Sequence, residues 1–190
     1  MFDFTPDYSG EGPQRFFRGY KGYLQADALA QYEALYGEEV EHVCCWAHAR
    51  RKFVAALESK DERANPTLER IGKLYAIERA LPSLLPLSDD PADQERRRQR
   101  EEQRCQIRQT RAVPILAELK RWLDGQRPKA LPKSPFGQAV GYALNNWEAL
   151  GRYVEQGYLA IDNNLSERTL RAIALGRNNW GVLGAANFLL

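Results

Sequence analysis

Gly22-Tyr23-Leu24-Gln25-Ala26-Asp27 and, after one helical stretch, Val40-Glu41-His42-Val43-Cys44-Cys45-Trp46 decide the fold class. Each is a short apolar run of the kind that fits a strand, and a glycine lies close before each. Between them Leu29, Tyr32, Leu35 and Tyr36 recur at helical spacing until Gly37 stops the helix. A further helix is predicted from about Ala47 to Leu57, carrying Arg50, Arg51 and Lys52. Strand, helix, strand, helix argues for an α/β sheet, with Asp27 at the carboxyl end of a strand. Upstream, Phe2 and Phe4 alternate with polar neighbours, which predicts a short strand entering a loop built from Pro6, Gly10, Gly12 and Pro13.

From about Lys60 the strand signals vanish. Pro66 suits the first turn of a helix bearing Leu68, Ile71, Leu74, Tyr75 and Ile77, which Pro82 and Pro86 end. A second helical stretch runs from about Pro91 to Leu123, and Pro114 is expected to kink or break it. Its arginines, from Arg96 to Arg111, are set among Glu95, Glu101 and Glu102, which break up the field as on a solvated face. Ser134-Pro135 opens another helix, with Val140, Ala143, Leu144, Trp147, Leu150 and Val154 on its apolar side. Mixed structure returns with Tyr158 to Ile161 as a strand, a helix from about Asn164 to Leu175, and a strand at Trp180 to Leu183. The expected division is an α/β segment over 1–59, an all-helical insertion over 60–157 that protrudes from the sheet, and a return to the core over 158–190.

The chain has 190 residues and a formal charge of only +2, so its balance does not announce a nucleic-acid binder; the placement of its basic residues matters more. Three cysteines, two of them adjacent, make no disulfide framework and fit a reducing compartment, which points to the cytoplasm. No apolar run approaches the ~20 residues a membrane helix needs, and the opening residues lack the order of a signal peptide.

Asp27 and Glu167 are the carboxylates with most chemical interest, because one closes a strand and the other opens a helix beyond the helical block. Such a pair can hold Mg²⁺ for phosphoryl transfer. Spacing alone favours two structural roles. Asp27 could cap the following helix, and Glu167 stands three residues after Asn164, as in a capping box. Cys45-x-x-His48, near His42 and Cys44, suggests zinc, but a structural zinc cage draws a second ligand pair from another segment and none exists here. Packing at a strand-to-helix junction is the reading for Cys44, Cys45 and Trp46. Arg50, Arg51 and Lys52 form one basic cluster and Arg168, Arg171 and Arg177 another. Either could hold a phosphate backbone or stay a solvated surface, and Arg171 could simply pair with Glu167 one turn away.

Three blocks in order, Gly19-Tyr20-Lys21-Gly22-Tyr23-Leu24-Gln25-Ala26-Asp27, Cys45-Trp46-Ala47-His48-Ala49-Arg50-Arg51-Lys52-Phe53 and Ile161-Asp162-Asn163-Asn164-Leu165-Ser166-Glu167-Arg168, strongly resemble transposases of the insertion sequence 66 family. The stretch from Ala139 to Leu150 and Arg177-Asn178-Asn179-Trp180 resemble it more weakly. The resemblance implies an incomplete ribonuclease H-like sheet interrupted by a large all-helical insertion. It assigns Asp27 as the second catalytic aspartate and Glu167 as the catalytic glutamate of a DDE site. It implies two Mg²⁺ or Mn²⁺ ions in the complete enzyme, DNA as partner, a homo-oligomer when complete, and cleavage and strand transfer without a covalent enzyme intermediate. The family's first catalytic aspartate has no counterpart here, since neither Asp3 nor Asp7 matches it, and both ends look cut. The expectation is therefore that this chain is inactive alone, with a non-catalytic DNA-binding or assembly module as the alternative.

Overall fold

The computed structural model describes residues 4–5, 10–28, 30–165, 168 and 187–188. The chain divides into two compact units, Met1–Cys45 with Asp162–Leu190, and Trp46–Ile161.

In the first unit, β1 (Phe4–Thr5) pairs antiparallel with β4 (Asn187–Phe188). β2 (Gly22–Gln25) pairs parallel with β3 (Val40–Val43), Tyr23 opposite Glu41 and Gln25 opposite Val43. The short helix α2 (Ala30–Glu33) lies in the crossover that a parallel pair requires. A helix not foreseen from the sequence, α1 (Glu11–Phe16), occupies the expected loop. Pro13 permits it because the first helical turn has no intrahelical use for an N–H.

The second unit is helical. α3 (Trp46–Glu58) buries Trp46, Ala49, Phe53 and Ala56, one stripe at helical spacing. α4 (Asn65–Ala80) starts with Pro66 in its first turn and buries Ile71, Leu74 and Ile77. α5 (Pro91–Gln126) is capped by Asp90, whose carboxylate accepts from the Ala92 and Asp93 amides at 2.8 and 3.1 Å. α6 (Pro135–Asn145) is capped by Ser134, whose Oγ accepts from Gly137 N at 3.0 Å. α7 (Trp147–Gly151) follows a break at Asn146, where the sequence had predicted one continuous helix. Phe53 meets Phe136 edge-on with centroids 6.3 Å apart, locking α3 to α6. Because of that packing the helical unit begins at Trp46 and ends at Ile161, a wider span than the 60–157 read from the sequence.

Two further expectations are corrected. Of the kink or break expected at Pro114, the break does not occur: α5 runs through it, because Arg108 and Ala112 before it and Leu116, Leu119 and Leu123 after it are all buried by the surrounding helices. Tyr158 to Ile161 is not a strand. Its carbonyls are used otherwise: Leu159 O accepts from Arg108 Nη2 at 2.8 Å, and Ile161 O from Trp46 N at 3.1 Å. The last contact joins the entry and exit of the helical unit.

The solvated face expected of the arginine-rich helix is also interrupted. Arg108 is fully buried. Its Nε and Nη2 donate to Glu78 Oε1 and Oε2 at 2.8 and 2.7 Å, and its remaining N–H bonds reach the carbonyls of Tyr153, Gln156 and Leu159 at 2.7 to 2.8 Å. Arg104 Nε binds Gly157 O at 2.7 Å and its Nη1 binds Pro82 O at 2.9 Å. Gly157 itself passes so close to α5 that an added Cβ would lie 2.5 Å from Glu101 Cα, which only glycine avoids. Removing one partner of a buried ion pair strands the other charge. Arg108→Ala should therefore lower unfolding free energy by roughly 3–5 kcal/mol in chemical denaturation, and the double change Arg108→Met with Glu78→Leu should cost clearly less.

Candidate functional site

The parallel pairing of β2 continues one residue past its end, since Ala26 N donates to Val43 O at 3.2 Å. Asp27 is the next residue and is half-buried. It stands ahead of the cap position of α2, which begins at Ala30. The strand end is braced from the β3 side: His42 Nε2 lies 3.1 Å from Ala26 O, and Tyr36 stacks on the His42 ring with centroids 4.2 Å apart and planes 11° apart. Cys44 and Cys45 are buried, as packing at a strand end predicts, and Cys45 Sγ comes within 4.8 Å of the Asp27 carboxylate.

The second segment of the unit brings a residue to Asp27 from far along the chain. Asp162 Oδ1 accepts from Asn164 N at 3.1 Å, and its Oδ2 accepts from Asn164 Nδ2 at 2.8 Å, fixing the turn into a helix that begins at Asn164. The donor that a capping box would need from Asn164 is thus taken by Asp162. Asn163 Nδ2 donates to Asp27 Oδ1 at 3.3 Å, across 136 positions of sequence. Asn163 Oδ1 is buried without a hydrogen-bond partner. Asn163 was quoted within a motif but not singled out by sequence reasoning; a buried amide beside a carboxylate leaves no periodic signal.

Glu167, Arg171 and Arg177 lie outside the described residues. Arg168 is exposed, and its Nε donates to Asn164 O at 3.2 Å. Arg50, Arg51 and Lys52 belong to the helical unit and are exposed on α3, where Lys52 Nζ sits 4.7 Å above the Tyr142 ring. Lys52 therefore has a packing role besides any ionic one.

The family model described as "Transposase IS66 family" matches residues 1–188. Among curated proteins, the chain is similar to the uncharacterized protein y4hP of Sinorhizobium fredii, 28% identical over 95% of this chain and 33% of that protein. It is also similar to the uncharacterized protein y4jD of the same organism, 27% identical over 93% of this chain and 33% of that protein. The chain spans about a third of the length of these relatives. No solved structure matches it.

Burial, first of all, and then the charges of Tyr32, Cys44 and Asp27 hold the Tyr36 phenol above its ordinary range. A neighbouring anion disfavours the phenolate, so neutralising it must act in the opposite direction. In Asp27→Asn the Tyr36 titration, followed by NMR of the ring carbon bearing the hydroxyl, should move down yet stay above that of a free tyrosine, because burial remains.

Proposed function

The chain belongs to the IS66 transposase family, and from that premise we propose that it supplies part of the catalytic core of a DNA transposase that cuts and joins strands by metal-dependent phosphoryl transfer. The observation that carries this reading is the Asn163–Asp27 contact, which delivers the segment leading to Glu167 to the carboxylate at the end of β2. Two sequence blocks that the family pattern treats as parts of one site thus meet at Asp27.

The donors suit a hard divalent cation. A carboxylate from Asp27 and the buried, unpartnered carbonyl oxygen of Asn163 are both oxygen ligands, the type that Mg²⁺ and Mn²⁺ prefer. Asp27 and Glu167, together with the first aspartate of the family pattern, would hold the two ions of the complete enzyme. When bound, such ions activate the attacking oxygen and stabilise the leaving one. The protein's own part is to fix the carboxylates: β2 pairing sets Asp27, and the Asp162 turn sets where the following helix starts. No side-chain nucleophile is required, so Ser, Cys and Tyr residues are free to serve as packing.

DNA is the substrate in this reading. Exposed Arg50, Arg51 and Arg168 contact phosphates, Arg171 and Arg177 join them by the family pattern, and Lys52 contributes less because it is engaged with Tyr142. We place the chain in an incomplete ribonuclease H-like sheet, of which the parallel β2–β3 pair is one portion and the helical unit an insertion with adjoining ends. None of the three cysteines is in a disulfide, in keeping with the cytoplasm, and among the described residues no helix is long and apolar enough to cross a membrane. A homo-oligomer is the form expected to pair two transposon ends.

The test uses a polypeptide of the relatives' full length that contains this segment. Asp27→Asn and Glu167→Gln should each reduce Mg²⁺-dependent cleavage of transposon-end DNA by about a thousandfold, as loss of several kcal/mol of metal-derived stabilisation requires, while DNA binding in a mobility-shift assay changes little. Unaltered cleavage in both variants would overturn the catalytic assignment. Binding without any cleavage in the parent polypeptide would favour the non-catalytic DNA-binding module.

A further inference from the structure

Asn163 is 7% exposed, yet its Oδ1 has no hydrogen-bond partner. A buried amide carbonyl left unpaired is costly, and a ligand or bound water that met it would recover that cost. The Nδ2 of the same amide lies 3.3 Å from Asp27 Oδ1. Half a turn of the amide about its Cβ–Cγ bond exchanges the two atoms and moves nothing else. Oxygen would then face oxygen at about the distance that separates adjacent ligands of an octahedral cation, roughly 3 Å for bonds of ~2.1 Å. Without a cation that orientation is repulsive, and the N–H donates to Asp27 instead.

We infer that Asn163 is a direct oxygen ligand of a divalent cation held by Asp27, with its amide turned one way in the metal-free protein and the other way when metal is bound. The inference rests on the reading of Asp27 as a metal-binding carboxylate and adds a ligand to it. The backbone setting favours a fixed role. Asp162 clamps Asn164 through both its amide N–H and its side chain, so Asn163 is held from the next residue while its own amide is left to choose between its two orientations. The nearby Cys45 thiol is a soft donor that Mg²⁺ and Mn²⁺ take poorly, so the amide is the better third party.

The test measures Mn²⁺ binding to the 190-residue chain by the loss of the free-ion electron paramagnetic resonance signal, with thermal melts in parallel. Asn163→Ala should bind Mn²⁺ about tenfold more weakly or worse, the scale seen when a residue that supports a metal site is removed. Asn163→Asp keeps an oxygen ligand; it should retain the affinity or exceed it, melt lower than the parent without metal, and recover more of its melting temperature when Mn²⁺ is added. Should Asn163→Ala not fold, Asn163→Leu keeps the same branched shape without an oxygen and carries the same expectation. Unchanged Mn²⁺ affinity in the alanine or leucine variant, with Asp27→Asn weakened, overturns this inference alone. Unchanged affinity in Asp27→Asn overturns the metal-site reading beneath it. A loss in Cys45→Ser with none at position 163 would assign the ion to the thiol and also overturn the proposal.

Discussion

A guanidinium buried with all of its N–H bonds in use holds the helical unit together. Arg108 has five donors; Glu78 takes two of them, and the carbonyls of Tyr153, Gln156 and Leu159 take the other three. Those carbonyls lie in a stretch without regular strand pairing, where a buried backbone has no ladder to satisfy it. The arginine substitutes for that ladder. Its charge is tolerated because Glu78 faces it; a buried pair of this kind adds little over a well-packed apolar replacement, yet losing one partner strands the other. Arg104 repeats the device one turn earlier, tying Gly157 and Pro82 to the same helix.

The return path also closes the helical unit on itself. Once residues 153–159 are fixed, Ile161 can accept from Trp46, and the two ends of the helical unit meet. Cys45 and Asp162, each bonded covalently to one of those ends, are thereby delivered together. Closing a loop this long would cost the Asn163–Asp27 hydrogen bond, worth about 1 kcal/mol net, far more than it returns. The folded helices carry that entropy instead, so a weak contact across 136 positions can be kept.

Much of this was legible in the sequence. Proline and serine punctuation located the starts of α4, α5 and α6, because a proline at the first turn and an oxygen at the cap act locally. The β2–β3 pair was legible from two apolar runs with a helix between them. What failed was whatever tertiary context overrode. Pro114 breaks an isolated helix, yet α5 is gripped by packed side chains on both sides of it. Arg108 is one arginine in a run of seven and looks like its solvated neighbours, since nothing local tells which guanidinium will meet Glu78. Tyr158 to Ile161 has strand composition but spends its carbonyls on Arg108 and Trp46. The sequence marked Asp27 as a carboxylate at a strand end, which is where it lies, whereas nothing marked its partner Asn163, because an amide has no charge pattern to advertise it.

The choice of an amide at position 163 has an electrostatic logic. Asp27 already places one negative charge at this strand end, Asp162 lies beside Asn163 in the chain, and Glu167 follows four positions on. Two like charges about 4 Å apart repel by roughly 4 kcal/mol at an effective dielectric near 20, a sizeable share of a small domain's stability. An asparagine offers a ligand oxygen without that repulsion. In the metal-free chain it does the opposite work, donating an N–H to the carboxylate it would otherwise oppose. A carboxylate at 163 would bind a cation at least as well but would make folding depend on the cation. On the proposed reading the amide would let the segment fold first and take up metal afterwards, at a contact made between residues 136 positions apart.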